Sequence, residues 1–369
     1  MPSSDATTPA GATAPVGLTS AAGADLLAIL FVGDVMLGRL VDEVLRDRPP
    51  VSAWGDTLPL FAAANLRIVN LECAVSDIED PTAWPDKPFH FRSRERNVAA
   101  LLAAGIDIVS VANNHALDAG EDALIRTLDV LDAAGIAHAG AGRTLDEARA
   151  PAIRSACGRS VGVVACTDNE PDWAAGPRRP GVFHVNVGAG DPEWDDLLDA
   201  VRRAREVVDL LVVSAHWGPN WGDTPLPAHI RLAHVLVDAG VDIVFGHSGH
   251  VVRGVESYRG RPILYCAGDF IDDYAVDPVE RNDRSAVFVV DAGPGGIADV
   301  RIHPTVIRDF GAWMATRAER DQILGRLARL SARLGTGATT DAEHATLTLR
   351  PNQRDRRPQR PRWVGTGGE

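Results

Sequence analysis

Apolar residues in this chain gather in short dense runs, and between the runs they recur every three or four positions. Residues 24–33 form an apolar run of strand length that ends at Asp34, and 37–45 follow with helical spacing. Runs at 66–69, 106–109, 160–167, 209–214 and 241–245 repeat the strand pattern. Segments 96–104, 121–134, 145–149, 194–207 and 226–239 repeat the helical one, with Gly105, Gly135 and Gly240 as stops. Strands alternating with helices predict a parallel sheet. Four close-set strands at 251–257, 262–267, 285–291 and 300–305, with no helix between them, predict an antiparallel section. A last amphipathic helix is expected at 317–334. Together these elements predict an α/β protein built as a layered sandwich of mixed sheets.

Long proline-bearing connections at 76–94 and 168–190 interrupt the alternation, and loops of that length in a compact domain are usually functional or disordered. The ends differ in composition from the middle. Residues 1–24 are rich in Ala, Thr, Ser, Gly and Pro, with no basic residue and no continuous apolar core, so they read as a disordered leader and not as a signal peptide. Residues 335–369 carry a basic run at 350–362 and read as a disordered basic tail. A single domain is expected over 25–334. The 45% hydrophobic content of the whole chain supports a large core, yet no apolar run approaches the ~20 residues of a transmembrane segment. The formal net charge of −13 argues against a nucleic-acid coat protein. Cys73, Cys157, Cys166 and Cys266 show no CxxC spacing and are expected as buried free thiols; with no export signal, a cytoplasmic location follows.

Chemistry collects at the strand ends. Five buried-type strands finish in a side chain able to hold a metal: Asp34, Glu72, Asn114 with His115, His216, and His247 with His250. The carboxyl edge of a parallel sheet is where such folds hold ligands. One strand ending in Asp or His is ordinary; five together imply a common ligand. Carboxylate, amide and imidazole donors without thiolate suit Mn, Fe or Zn in an open site, where metal-activated water attacks an electrophile. Arg39, Lys87 and Arg92 are candidates to hold an anionic substrate, and Trp217 and Trp221 could wall the site. His90, His138, His184, His229, His234, His303 and His344 have no ligand-like setting.

Several motifs carry a family resemblance. Gly33-Asp34-Val35-Met36-Leu37-Gly38-Arg39, Asn70-Leu71-Glu72-Cys73, Lys87-Pro88 with Phe91-Arg92, Ala112 to Asp118, His216-Trp217-Gly218, the His247/His250 pair and Tyr265 to Phe270 together resemble the capsule-biosynthesis (CapA) family. The resemblance implies a calcineurin-like metallophosphoesterase fold, an α/β/β/α sandwich, and a link to poly-γ-glutamate synthesis. Carried over, Asp34 and His250 would bind a first divalent metal, Glu72 would bridge, and Asn114, His216 and His247 would hold a second. His115 would act on the reaction with Asp118 orienting it. Met36 stands where the wider phosphoesterase pattern has His, and Ser248-Gly249 where relatives have His-Pro, so one or two ions are expected. The implied activity is metal-dependent chemistry on an anionic or γ-glutamyl substrate, with a biosynthetic ligase as a possible partner. The alternatives are a small-molecule phosphoesterase and a non-catalytic accessory subunit.

Overall fold

A computed structural model describes residues 26–80, 82, 84–189, 194–340 and 344–348. Strand β1 (Leu27–Val35) leads through α1 (Arg39–Asp47), a 3-10 segment and α2 (Leu58–Ala63) to β2 (Leu66–Leu71). Short strands β3 (Ala74–Val75) and β4 (Arg92–Ser93) pair with each other and pin the two ends of the first proline-rich loop. Then come α3 (Val98–Ala103), β5 (Ile108–Ser110), α4 (Glu121–Ala133), β6 (Ala137–Ala139), β7 (Ala141–Gly142) and α5 (Leu145–Ala148). The second half runs β8 (Ala152–Ala156), β9 (Arg159–Thr167), β10 (Gly181–Val182), α6 (Asp195–Val207), β11 (Leu210–His216), α7 (Pro227–Asp238) and β12 (Ile243–His247). It closes with β13 (Val255–Tyr258), β14 (Arg261–Leu264), β15 (Asp269–Ile271), β16 (Arg284–Gly293), β17 (Gly296–Arg308), β18 (Gly311–Met314), α8 (Arg317–Arg333), β19 (Ala338–Thr340) and β20 (Ala345–Thr348).

Two large sheets pack face to face. A ten-stranded sheet has the path β19-β20-β17-β16-β1-β2-β5-β6, with β15 on β1 and β18 on β17; a six-stranded sheet runs β13-β14-β12-β11-β9-β8. The two-residue period of each strand divides its side chains between layers. In β1, Leu27, Ile29 and Phe31 enter the core between the sheets, while Leu30 and Val32 meet the helices outside. In β11, Leu210 and Val212 face the other sheet and Leu211 and Val213 face α6 and α7. Each outer helix answers with one apolar stripe, as in Leu197, Ala200, Val201 and Ala204 of α6. The layering is α/β/β/α, as the resemblance implies.

Several sequence expectations shift. The section after residue 250 is only partly antiparallel: β13–β14 and β16–β17 are, but β14 joins β12 and β15 joins β1 in parallel. The segment expected as a tail from 335 begins with β19 and β20, which extend the large sheet; its basic run and the 1–24 leader lie outside the described residues. Cys73, Cys166 and Cys266 are buried free thiols, but Cys157 is exposed because it occupies the hairpin turn between β8 and β9 at a φ of 51°. No helix among the described residues is long and apolar enough to cross a membrane.

Residues 265–271 tie the two sheets together beside their carboxyl edges. Ala267 N donates to Gly246 O of β12, while Asp34 N and Met36 N donate to Gly268 O and Ile271 O. Backbones approach so closely there that a Cβ on Gly33 would lie 1.9 Å from Gly268 O, and one on Gly246 2.3 Å from Tyr265 O. Gly33→Ala is therefore expected to cost at least about 2 kcal/mol through backbone displacement. Gly295→Ala, where a Cβ meets nothing within 4 Å, should change stability by less than about 0.5 kcal/mol. Urea denaturation of both variants tests the weld; equal midpoints would refute it.

Candidate metal centre

Strand phase aims the polar ends into one space. In β11 and β12 the inward phase of Leu210, Val212, Ile243 and Phe245 continues through Ser214, His216 and His247. In β2 it continues from Ile68 through Asn70 to Glu72. Strand β1 would send Asp34 outward, but its register against β2 slips between Phe31 and Asp34, where β1 spends an extra residue. This bulge reverses the phase and turns Asp34 inward. All of these side chains are buried.

Hydrogen bonds run through the cluster in a line. Ser214 Oγ lies 2.8 Å from His247 Nε2, His247 Nδ1 lies 2.8 Å from His216 Nδ1, and His216 Nε2 lies 2.9 Å from Asn114 Oδ1. The line can be satisfied with one proton on each imidazole, and burial favours the neutral form of both rings. Asp34 accepts from Asn70 Nδ2 at 2.8 Å and Ser248 N at 3.2 Å. Asn113 donates to Asn70 Oδ1 and Leu71 O and accepts from His115 N, which fixes the turn. His250, at a φ of 53°, reaches Asp269 Oδ1 through Nδ1 at 2.9 Å.

His115 stands beside this cluster. Its Nδ1 lies 2.5 Å from Asp118 Oδ2, leaving Nε2 directed at Glu72 Oε1, 3.9 Å away. Asp118 also accepts from Phe91 N at 2.6 Å and pairs with Lys87 Nζ at 2.9 Å. Phe91 stacks on the imidazole with 3.6 Å between ring centroids. Arg39 lies over the Phe91 ring, 5.5 Å from its centroid, and pairs with Asp273.

Electrostatics show what this donor set suits. Burial lowers His247 to about 3 and His115 to about 4, the latter against the pull of Asp118, and it holds His216 and His250 below the usual imidazole range. Burial raises Asp34 to about 6, and burial with neighbouring carboxylates pushes Glu72, Asp269 and Asp272 well above the carboxylate range. Both oxygens of Glu72, Oδ2 of Asp269 and Oδ2 of Asp272 are buried with no hydrogen-bond partner among the described residues. Neutral nitrogen donors beside carboxylates that lack positive charge fit a divalent cation. Donor atoms of Asp34, His216 and His247 lie within 4.8 Å of one another, as do those of Asp34, His250 and Asp269.

The structure thus brings Asp34, Glu72, Asn114, His115, Asp118, His216, His247 and His250 together. It separates others. Trp217 does not wall the site: it follows His216, points to the opposite face, is 1% exposed and donates Nε1 to Tyr265 O in the helical-layer core. Trp221 is the exposed aromatic at the rim, its ring 5.8 Å from that of His250. Arg92 turns away to Ser76 O and Glu79, into a cleft of about 720 Å³ that Arg39, Arg94 and Arg96 also line. Lys87 is engaged by Asp118 and the Asn114 carbonyl. Asn70, Ser214 and Asp269 were missed. Asn70 and Ser214 stand two positions before Glu72 and His216, so strand period alone puts them on the same face.

Comparison with known proteins follows the same lines. The family described as "Bacterial capsule synthesis protein PGA_cap" matches residues 28–274. A Mycobacterium tuberculosis protein named "Probable polyglutamine synthesis accessory protein" is 32% identical over 359 residues, covering 86% of this chain and 94% of the relative. "PGA biosynthesis protein CapA" of Bacillus subtilis is 30% identical over 251 residues, covering 68% and 64%. Among solved structures, a Staphylococcus aureus "Putative 5'-Nucleotidase" aligns with a TM-score of 0.46 at 13% identity, over 82% of this chain and 58% of that one.

If a cation relieves the buried carboxylates, adding it must stabilise the fold. Mn²⁺ at a hundred times its Kd should raise stability by about 2.7 kcal/mol relative to the EDTA-treated protein. Glu72→Gln should lose most of that response while remaining folded. Thermal melts with and without Mn²⁺ decide it: an unresponsive wild-type chain would refute the metal centre.

Proposed function

This chain belongs to the bacterial capsule synthesis family, and on that premise we propose that it is a metal-dependent hydrolase-type enzyme acting on an anionic γ-glutamyl amide. The carrying observation is His115. It is held by Asp118, stacked by Phe91 and aimed past Glu72, beside the metal-competent cluster but outside its hydrogen-bonded line. The names of the mycobacterial and Bacillus subtilis relatives, which speak of polyglutamine synthesis and PGA biosynthesis, support a link to polymer synthesis.

Asp34, Glu72, Asn114, His216 and His247 would hold a divalent ion, Mn, Fe or Zn, which when bound would supply Lewis-acid chemistry. The chain's own residues do the rest. Asp118 accepts from His115 Nδ1–H, which fixes the tautomer and leaves Nε2 free to take the proton of the water that adds to the amide carbonyl, before the C–N bond breaks. His115 then passes it to the departing nitrogen, the arrangement of a general base that becomes a general acid. Lys87, paired to Asp118, locks that carboxylate and closes the site on one side. Arg39, partly exposed over the Phe91 ring, presents a guanidinium fork to a substrate carboxylate. A biosynthetic ligase is the protein partner that the word "accessory" in the mycobacterial name favours.

His115→Ala is expected to keep its metal and fold while losing about 10²–10⁴-fold in kcat. Turnover of γ-glutamyl peptides and of p-nitrophenyl phosphate with Mn²⁺, read beside elemental analysis, checks this. Metal lost in step with activity would make His115 a ligand. Turnover of the phosphate ester alone would make the protein a phosphoesterase. Bound metal with neither activity would leave the accessory role.

A further inference from the structure

Asp34 and His250 alone offer too few donors to hold a cation on their side of Glu72. Met36, two residues beyond Asp34, cannot help: it is fully buried in the helical-layer core, and its sulfur accepts from Gly38 N at 3.1 Å. We propose that Asp269 is the missing ligand, and that Asp34, His250 and Asp269 form an oxygen-rich second cation site selective for Mn²⁺, with Asp34 common to both donor groups. The inference rests on the metal-dependent reading above and adds a residue to it.

Topology puts Asp269 there. Strand β15 lies parallel on β1 with Asp34 opposite Asp269, and the Gly33–Gly268 contact just before that pair fixes the spacing. His250 comes from the opposite sheet, on a turn that holds both Ser248 and His250 at positive φ, and meets Asp269 Oδ1. Donor atoms of the three residues fall within 4.8 Å of one another. Asp269 is 0% exposed, and its Oδ2 has no partner among the described residues. Asp272, three residues on, lies within side-chain hydrogen-bonding reach of Asp269, and its Oδ2 is buried as well. Among the described residues neither Asp269 nor Asp272 has an ion pair with Lys or Arg, and His250 is the basic group set against Asp269.

The two positions differ in chemistry. His216, His247 and Asn114 make one side rich in nitrogen, suited to zinc or iron. Two or three carboxylates with a single imidazole make the other side hard, which favours Mn²⁺ and disfavours zinc.

The test is metal stoichiometry, which does not depend on turnover. The full chain is stripped, reloaded with Mn²⁺, desalted and measured by mass spectrometry for metal, with Mn²⁺ paramagnetic resonance to follow binding. Wild type should hold about two equivalents and Asp269→Asn about one, with circular dichroism unchanged. Asp272→Asn, a milder change, should retain both ions but release one more readily. His247→Ala should lose the other ion and keep the Asp269 one. Two tight equivalents in folded Asp269→Asn would overturn the assignment, as would a wild type that binds only one. Failure of γ-glutamyl turnover with two ions bound would sink the proposed function and leave this site standing.

Discussion

Burying Asp34, Glu72, Asp269 and Asp272 within one space is the most expensive feature of this fold. A carboxylate removed from water without a partner costs several kcal/mol, and each neighbour of like charge adds to that cost. Protons relieve it in part, which is why the carboxyl groups stand above their ordinary range. The imidazoles bring no positive charge, because burial keeps them neutral. Lys87 is committed to Asp118. The arrangement offers the donors that a cation would need, and the fold holds them ready in advance.

Holding them ready is the work of backbone contacts. Residues 265–271 hydrogen-bond to β12 on one side and β1 on the other, at glycines where no side chain fits. That segment converts a sandwich, whose sheets could slide on apolar faces, into a frame with a fixed gap at its carboxyl edge. The β1 bulge then turns Asp34 into the gap. Polar residues one strand period back, Asn70 and Ser214, lock the orientation of Asp34 and His247. Preorganisation here is a property of strand register and close backbone packing, and it spares the side chains the entropy of finding their places.

Much of this was legible in the chain. Dense apolar runs gave away the strands, and polar residues at their ends marked the edge where ligands collect. What escaped has a common physical cause. Strand period tells which residues share a face, but not which strands will pair after the helices stop, so the parallel docking of β15 on β1 and the role of Asp269 were hidden. The same period could have excluded Trp217, which directly follows an inward His216 and must face the other way. The extra residue in β1 is invisible without its partner strand. Arg92 was read from its setting in a proline-rich loop, and a loop has no period from which to infer direction.

The proline-rich loop consequently takes a different role from the one its charges suggest. Arg92 and Arg94 are spent on Glu79 at the surface. The residue that matters is Phe91. Its amide reaches Asp118, its ring covers His115, and β4, which starts at the next residue, is anchored on β3. Lys87 adds a second tie from the same loop to the same carboxylate. A flexible surface loop could not keep an imidazole and its carboxylate at 2.5 Å, whereas this one is closed at both ends by the β3–β4 pair and clamps them between an aromatic face and an ammonium. The loop therefore serves by bringing Phe91 and Lys87 onto His115 and Asp118, with the β3–β4 pair fixing its ends.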